Sequence, residues 1–215
     1  MAIITISRGT LSGGRAVAER LAQRLGYPCV GREILQEAAR ALGASEEDLS
    51  GKLEAPPSRW ARLTEERKKY LLAVQAALAE HCTSGELVYH GLAGQFLLRD
   101  LPCVLAVRLI APLEMRVEAL RDAHHRLTLK AAEEFIHDVD EDRRRWVKLM
   151  YQADVEDPAL YDLTVNLQSI SVETASEIIA AAAAQPLYEV TDPVKQRLEA
   201  FADACREQLQ RAGEG

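Results

Sequence analysis

Apolar positions along the chain follow two rhythms that alternate from end to end. Short continuous runs rich in β-branched residues read as buried strands: Ala2 to Ile6, Leu87 to Tyr89, Val104 to Ile110 and Leu163 to Asn166, with a shorter candidate at Tyr27 to Val30. Between them apolar residues recur at helical spacing. The first such stretch starts at Ala16, carries Val17, Ala18, Leu21, Ala22 and Leu25 on one face, and stops at Gly26. Further helices are expected from Gly31 to about Leu42, from Ser58 to about His81, and from Pro112, at the first helical position, to about Asp122. Others run from a Thr128 cap to Tyr151, from a Ser171 cap through the alanine run ending at Ala184, and from Pro193 to about Arg211. Phe96 to Arg99 reads as a helical turn, Ser45 to Leu49 as the acidic start of a short helix, and Pro56-Pro57 as a break.

Strands alternating with helices predict an α/β protein whose parallel sheet carries helices on both faces. No repeat or linker divides the 215 residues, which suit one domain over 1–215. Two helical excursions, about 44–82 and 122–156, fall outside the simple alternation, and 192–215 forms a C-terminal helix. Ligands of such folds bind beyond the C-terminal strand ends, where insertions can close over them.

The first strand runs through Ser7-Arg8-Gly9-Thr10-Leu11-Ser12-Gly13-Gly14-Arg15 into the first helix. A strand passing through small residues into a helix N-terminus presents backbone N–H groups and the positive end of the helix dipole to an anion. Against the phosphate-loop pattern G-x-x-x-x-G-K-[ST], Gly9 and Gly14 match. Arg15 replaces the lysine and Ala16 the Mg²⁺-binding hydroxyl. A phosphate loop and an ordinary glycine-rich turn both fit the stretch; its place at the head of an α/β pattern favours the first.

Composition narrows the partners. A net charge of −7 argues against nucleic-acid binding. No stretch approaches eighteen apolar residues, so no membrane span is expected. Cys29, Cys82, Cys103 and Cys205 are scattered with no C-x-x-C pair, as reduced thiols of a cytoplasmic protein would be. Twenty arginines stand against six lysines. Genomic composition and bidentate recognition of phosphate both account for that excess. His124-His125 lack partners at ligand spacing and read as surface histidines, so no metal ligands are expected in the chain.

Three stretches in order resemble the cytidylate-kinase-like proteins, a branch of the P-loop nucleoside monophosphate kinases, over roughly residues 2–180. The first is Ile4 to Arg8 with Ser12-Gly13-Gly14-Arg15. The second is Gly91-Leu92-Ala93-Gly94-Gln95, followed by Val107 to Arg116. The third is Asp140-Glu141-Asp142-Arg143, then Asp157 to Leu163 leading into Asn166. The resemblance implies a three-layer α/β/α P-loop fold with a five-stranded parallel core. It also implies a nucleotide-monophosphate insertion near 44–82 and an arginine-bearing lid near 122–156. The implied reaction is transfer of the γ-phosphoryl of ATP to a nucleoside monophosphate, CMP or dCMP. Gly9, Thr10, Ser12, Gly13, Gly14, Arg15 and Ala16 would hold ATP. Arg15, Arg143 and Arg145 would be catalytic, and Arg32, Gly91, Gln95, Arg143 and Lys148 would bind the acceptor. Mg²⁺ would be held by phosphates and water.

The chain departs from that pattern at Leu92, where the family usually carries arginine, at Gly31, where aspartate is frequent, and at Ala16. Each lost transition-state donor typically costs about 10²–10³ in rate. Two classes therefore follow: a working kinase, or a nucleotide-binding relative acting as a sensor or interaction module. The lid, polar between Glu133 and Lys148 with few large apolar anchors, is expected to open at low cost.

Overall fold

A computed structural model of the chain describes residues 1–45 and 64–213. Five strands form one sheet: β1 (Ile3–Arg8), β2 (Cys29–Val30), β3 (Leu87–Tyr89), β4 (Val104–Ile110) and β5 (Leu163–Asn166). Their order across the sheet is β2-β3-β1-β4-β5 and every pairing is parallel. This is the five-stranded parallel core that the strand pattern and the resemblance imply. β1 lies in the middle, with Ile3 opposite both Leu87 and Val104.

Alternation along the central strands feeds two cores. Ile3, Leu87 and Tyr89 point to one face, where α2 (Glu33–Ala41), α3 (Thr64–Cys82) and α8 (Asp192–Gly213) cover them with Ile34, Leu78 and Leu198. Ile4, Ile6, Val88, Leu105 and Val107 point to the other, under α1 (Gly14–Leu25) and α7 (Val172–Ala183), which contribute Val17, Leu21, Ala175 and Ile179. The central strands are buried on both faces at Ile3 to Ile6 and Leu87 to Tyr89, so they read as continuous apolar runs, whereas β4 and β5 alternate buried with half-buried or exposed positions.

The remaining helices surround the C-terminal edge of the sheet: α4 (Gly94–Leu97), α5 (Leu113–Ala123) and α6 (Leu129–Tyr151). Thr128 caps α6, its Oγ1 accepting from the Ala131 N–H at 3.2 Å. Ser171 caps α7 through the Thr174 N–H at 3.1 Å.

Several boundaries move from their expected places. β1 continues past Ile6 to Arg8, because Ser7 and Arg8 pair with Arg108 and Leu109 of the longer β4. α1 starts at Gly14, two residues before Ala16, directly after Gly13 turns the chain with φ +81°. Pro112 caps α5 from outside the helix instead of opening it. The expected short helix at 45–49 and the Pro56-Pro57 break fall on 46–63 or adjoin them, outside the described residues, as does the start of the helix expected from Ser58.

α6, which falls in the stretch expected to form a lid, is better anchored than its polarity suggested. Ala132 and Ile136 pack with Val117 and Leu120 of α5. Trp146 and Val147 are buried in the core under α3, where Tyr151 stacks on Phe96 with ring centroids 4.3 Å apart. The apolar residues hide in an arginine-rich run because only one face of this long helix is buried.

Candidate functional site

The loop between β1 and α1 closes on itself before it meets any other element. Ser12 Oγ donates to the Gly9 carbonyl at 3.0 Å, which spends the serine hydroxyl inside the turn. Gly13 takes a left-handed conformation that costs glycine nothing. Gly14 is glycine for a different reason: a Cβ there would lie 2.3 Å from Arg8 Cδ. The Arg8 side chain therefore crosses directly over the start of α1. Gly9 likewise faces the Arg116 guanidinium, which a Cβ would approach to 3.3 Å.

Thr10 fastens the loop to α5 and α6 with all three of its polar groups. Its N–H donates to Asp140 Oδ1 at 2.9 Å, its carbonyl accepts from Arg116 Nε at 2.7 Å, and its Oγ1 accepts from Arg143 at 2.8 Å. Arg116 closes the arrangement with an ion pair to the second oxygen of Asp140. Burial pushes the Asp140 carboxyl up, but the Thr10 N–H and the Arg116 guanidinium outweigh it and hold the group below the ordinary carboxylate range.

A cavity of about 350 Å³ opens beside this fastening. Arg8, Thr10, Leu11, His124, Phe135 and Arg143 are among its walls. His124, exposed as expected, also borders the space beside the loop. Two guanidiniums face the cavity. Arg143 shares its charge with Asp140 at 3.9 Å. Arg8 has no hydrogen-bond or ion-pair partner among the described residues; burial, then the charge of Arg143, pushes its pKa down to about 10. Positive charge without a matching carboxylate, next to the amides of a helix N-terminus, is what an anionic ligand requires.

The other expected site residues are distributed as follows. Arg15 lies on the outer side of α1, its side chain 78% exposed and paired with Glu19 at 2.7 Å. Ala16 is exposed in the same helical turn and carries no oxygen toward the loop. Arg145 pairs with Glu141 at 2.9 Å and Lys148 is exposed. Arg144 is not purely solvated either, since it bridges Glu141 and Glu156. Arg32 stands exposed just ahead of α2. Of Arg143, Arg144, Arg145 and Lys148, it is Arg143 that donates to Thr10 of the loop.

Gly91 and Gln95 serve a packing and hydrogen-bond role. A Cβ at Gly91 would lie 2.0 Å from Tyr89 Oη, and one at Gly94 2.7 Å from the Tyr89 ring. Small residues here let the chain wrap Tyr89, whose hydroxyl donates to the Leu92 carbonyl at 3.1 Å. Gln95 is buried and donates to Tyr161 Oη at 3.1 Å, and that hydroxyl lies 3.2 Å from Ser7 Oγ. At Gly31 the His90 ring fills the side-chain space: a Cβ would approach it to 2.4 Å. An aspartate at that position is incompatible with this placement of His90.

Sequence reasoning did not select Arg8, Asp140 or Arg116 as site residues. All three stand in the stretches that carry the family resemblance, and that was the available signal. The pattern match drew attention to Arg15 because position seven of the loop usually holds the cation, whereas the direction of a side chain depends on where the helix begins.

A model of the cytidylate kinase-like family matches residues 3–169. Among solved structures, an uncharacterized protein from Eubacterium ventriosum is 17% identical, with 85% of this chain and 97% of that one covered and a TM-score of 0.66. A shikimate kinase from Aquifex aeolicus is 20% identical over 86% of this chain and 99% of its own, with a TM-score of 0.47. No curated protein matches.

Proposed function

The chain belongs to the cytidylate kinase-like family, and on that premise we propose that it binds ATP at the Gly9–Gly14 loop and transfers the γ-phosphoryl to a nucleoside monophosphate, CMP or dCMP. The observation that carries this reading is the loop-side cavity with Arg8 and Arg143 on its walls. Family membership supports kinase-type chemistry; the choice of acceptor is ours. A phosphate acceptor brings an ionised oxygen, so the chain needs no general base. The acceptor oxygen bonds to the γ-phosphorus as the bond to the β,γ-bridging oxygen breaks, and the electron pair leaves on ADP. What the protein supplies is alignment and neutralisation of the oxygens in flight.

The donor set fits the two implied groups unequally. The loop amides and the two arginines suit a triphosphate. Ala16 offers no ligand for Mg²⁺, so an ion accompanying ATP would be held by phosphate oxygens and water and would supply charge neutralisation there. Arg143, brought to the loop by Thr10, stands where it can neutralise the transferred group. Arg145 and Lys148, two and five residues further along α6, need a movement of that helix to contribute.

Coupled ADP release, measured with a panel of nucleoside monophosphates, tests the proposal. Turnover that requires ATP and is fastest with CMP or dCMP is the expected result. Tight ATP binding with no turnover on any monophosphate would instead support the second reading, a nucleotide-binding module. That reading is favoured by Ala16 and by the Asp140 carboxylate already seated on the loop at Thr10.

A further inference from the structure

We infer that Arg8, at the end of β1, supplies the phosphate-loop cation in this chain, in place of the residue at the lysine position, Arg15. The inference rests on the proposed nucleotide site and names the residue that touches the nucleotide's terminal phosphates there.

Four observations converge on it. Arg15 sits in the first turn of α1 and bonds Glu19, one turn along the same helix, so its charge is spent at the surface. Arg8 approaches the loop from the opposite end. Its stem crosses Gly14, whose missing side chain makes room for it. Arg8 lines the same cavity as Arg143, the arginine of α6 that donates to Thr10. Among the described residues no carboxylate or carbonyl satisfies it. Burial and the neighbouring positive charge both disfavour the charged form of Arg8. A bound triphosphate would remove that penalty, since its terminal oxygens accept from both guanidiniums.

An arginine entering from the strand also changes the geometry of neutralisation. The lysine of a standard loop reaches the β- and γ-phosphates from the first turn of the helix as a compact charge. Arg8 reaches across the mouth of the loop as a planar donor able to bridge two oxygens. During transfer it donates hydrogen bonds only and gives up no proton.

The test compares Arg8→Met, which keeps most of the stem over Gly14, with Arg8→Lys and Arg15→Ala. Binding of ATP, ADP and AMP is measured by calorimetry, and folding is checked by thermal unfolding of the free proteins. Arg8→Met should weaken ATP about ten- to a hundredfold, the range for loss of a charged hydrogen bond. AMP should be affected much less, Arg8→Lys should recover part of the loss, and the loss should exceed that in Arg15→Ala at least tenfold. Free Arg8→Met should also melt at a higher temperature than wild type, because an uncompensated half-buried cation is gone. A residue with only a packing role would lower the melting temperature and leave the ATP-to-AMP ratio unchanged, and either result would overturn the inference. A larger loss in Arg15→Ala would overturn it as well. Wild type that binds ATP with Arg8→Met unchanged would sink this assignment alone; wild type that binds no nucleotide would sink the proposed function with it.

Discussion

Tyr89 governs the choice of residue at two glycines of the second small-residue turn. It is wholly buried at the end of β3, and the chain folds back over it at Gly91 and Gly94. Gly91→Ala places a methyl 2.0 Å from the Tyr89 hydroxyl, and Tyr89 has packed neighbours on every side. Overpacking of that kind costs about 1–3 kcal/mol. The urea midpoint of Gly91→Ala should fall accordingly, while ATP affinity of the folded fraction should be retained. Unchanged stability would show that the turn moves freely and that its glycines answer to a ligand instead. From sequence alone this stretch reads only as small residues after a strand, which serve close packing and ligand approach equally well. The partner that separates the two, Tyr89, lies only two residues upstream.

At the scale of elements, strand positions were legible and side-chain directions at helix starts were not. β3, β4 and β5 fall where their apolar runs predict, since each run is bounded by turn residues; β3 is buried throughout, while β4 and β5 bury alternate residues. β1 exceeds its apolar run because Ser7 and Arg8 are held by pairing with β4 and not by burial. The lid α6 was legible as a helix and as an arginine carrier, but its anchors Trp146 and Val147 sit among charges that mask their face. Its docking to the loop turns on Asp140. Because the folded carboxyl is held below its ordinary value, its contribution to docking is full above about pH 4, the unfolded value, and is lost as pH falls through the lowered one. Asp140→Asn keeps the shape but breaks the ion pair with Arg116. Its melting temperature should lie below wild type at pH 7, by the equivalent of about 1 kcal/mol. The gap should close in strong acid, once the lowered carboxyl is protonated in the folded protein as well. A gap that persists unchanged in strong acid would show that charge on Asp140 is not what fastens the lid.

For the whole molecule, one sheet holds the site still while helices bring charge to it. The apolar strands are covered on both faces, and the loop projects from the C-terminal end of the central one. Arg116 comes from α5, and Asp140 and Arg143 from α6. Loop, cavity and lid therefore converge at Thr10. Hydrogen exchange, followed residue by residue with and without ATP, tests the claim that this convergence is a nucleotide's phosphate site. ATP should slow exchange at the amides of Leu11 to Ala16 and along α6 from Asp140 to Lys148. Amides of β3 and β4 should change little, since they are protected already. Slowing elsewhere on the surface, with the loop amides unaffected by saturating ATP, would contradict the account.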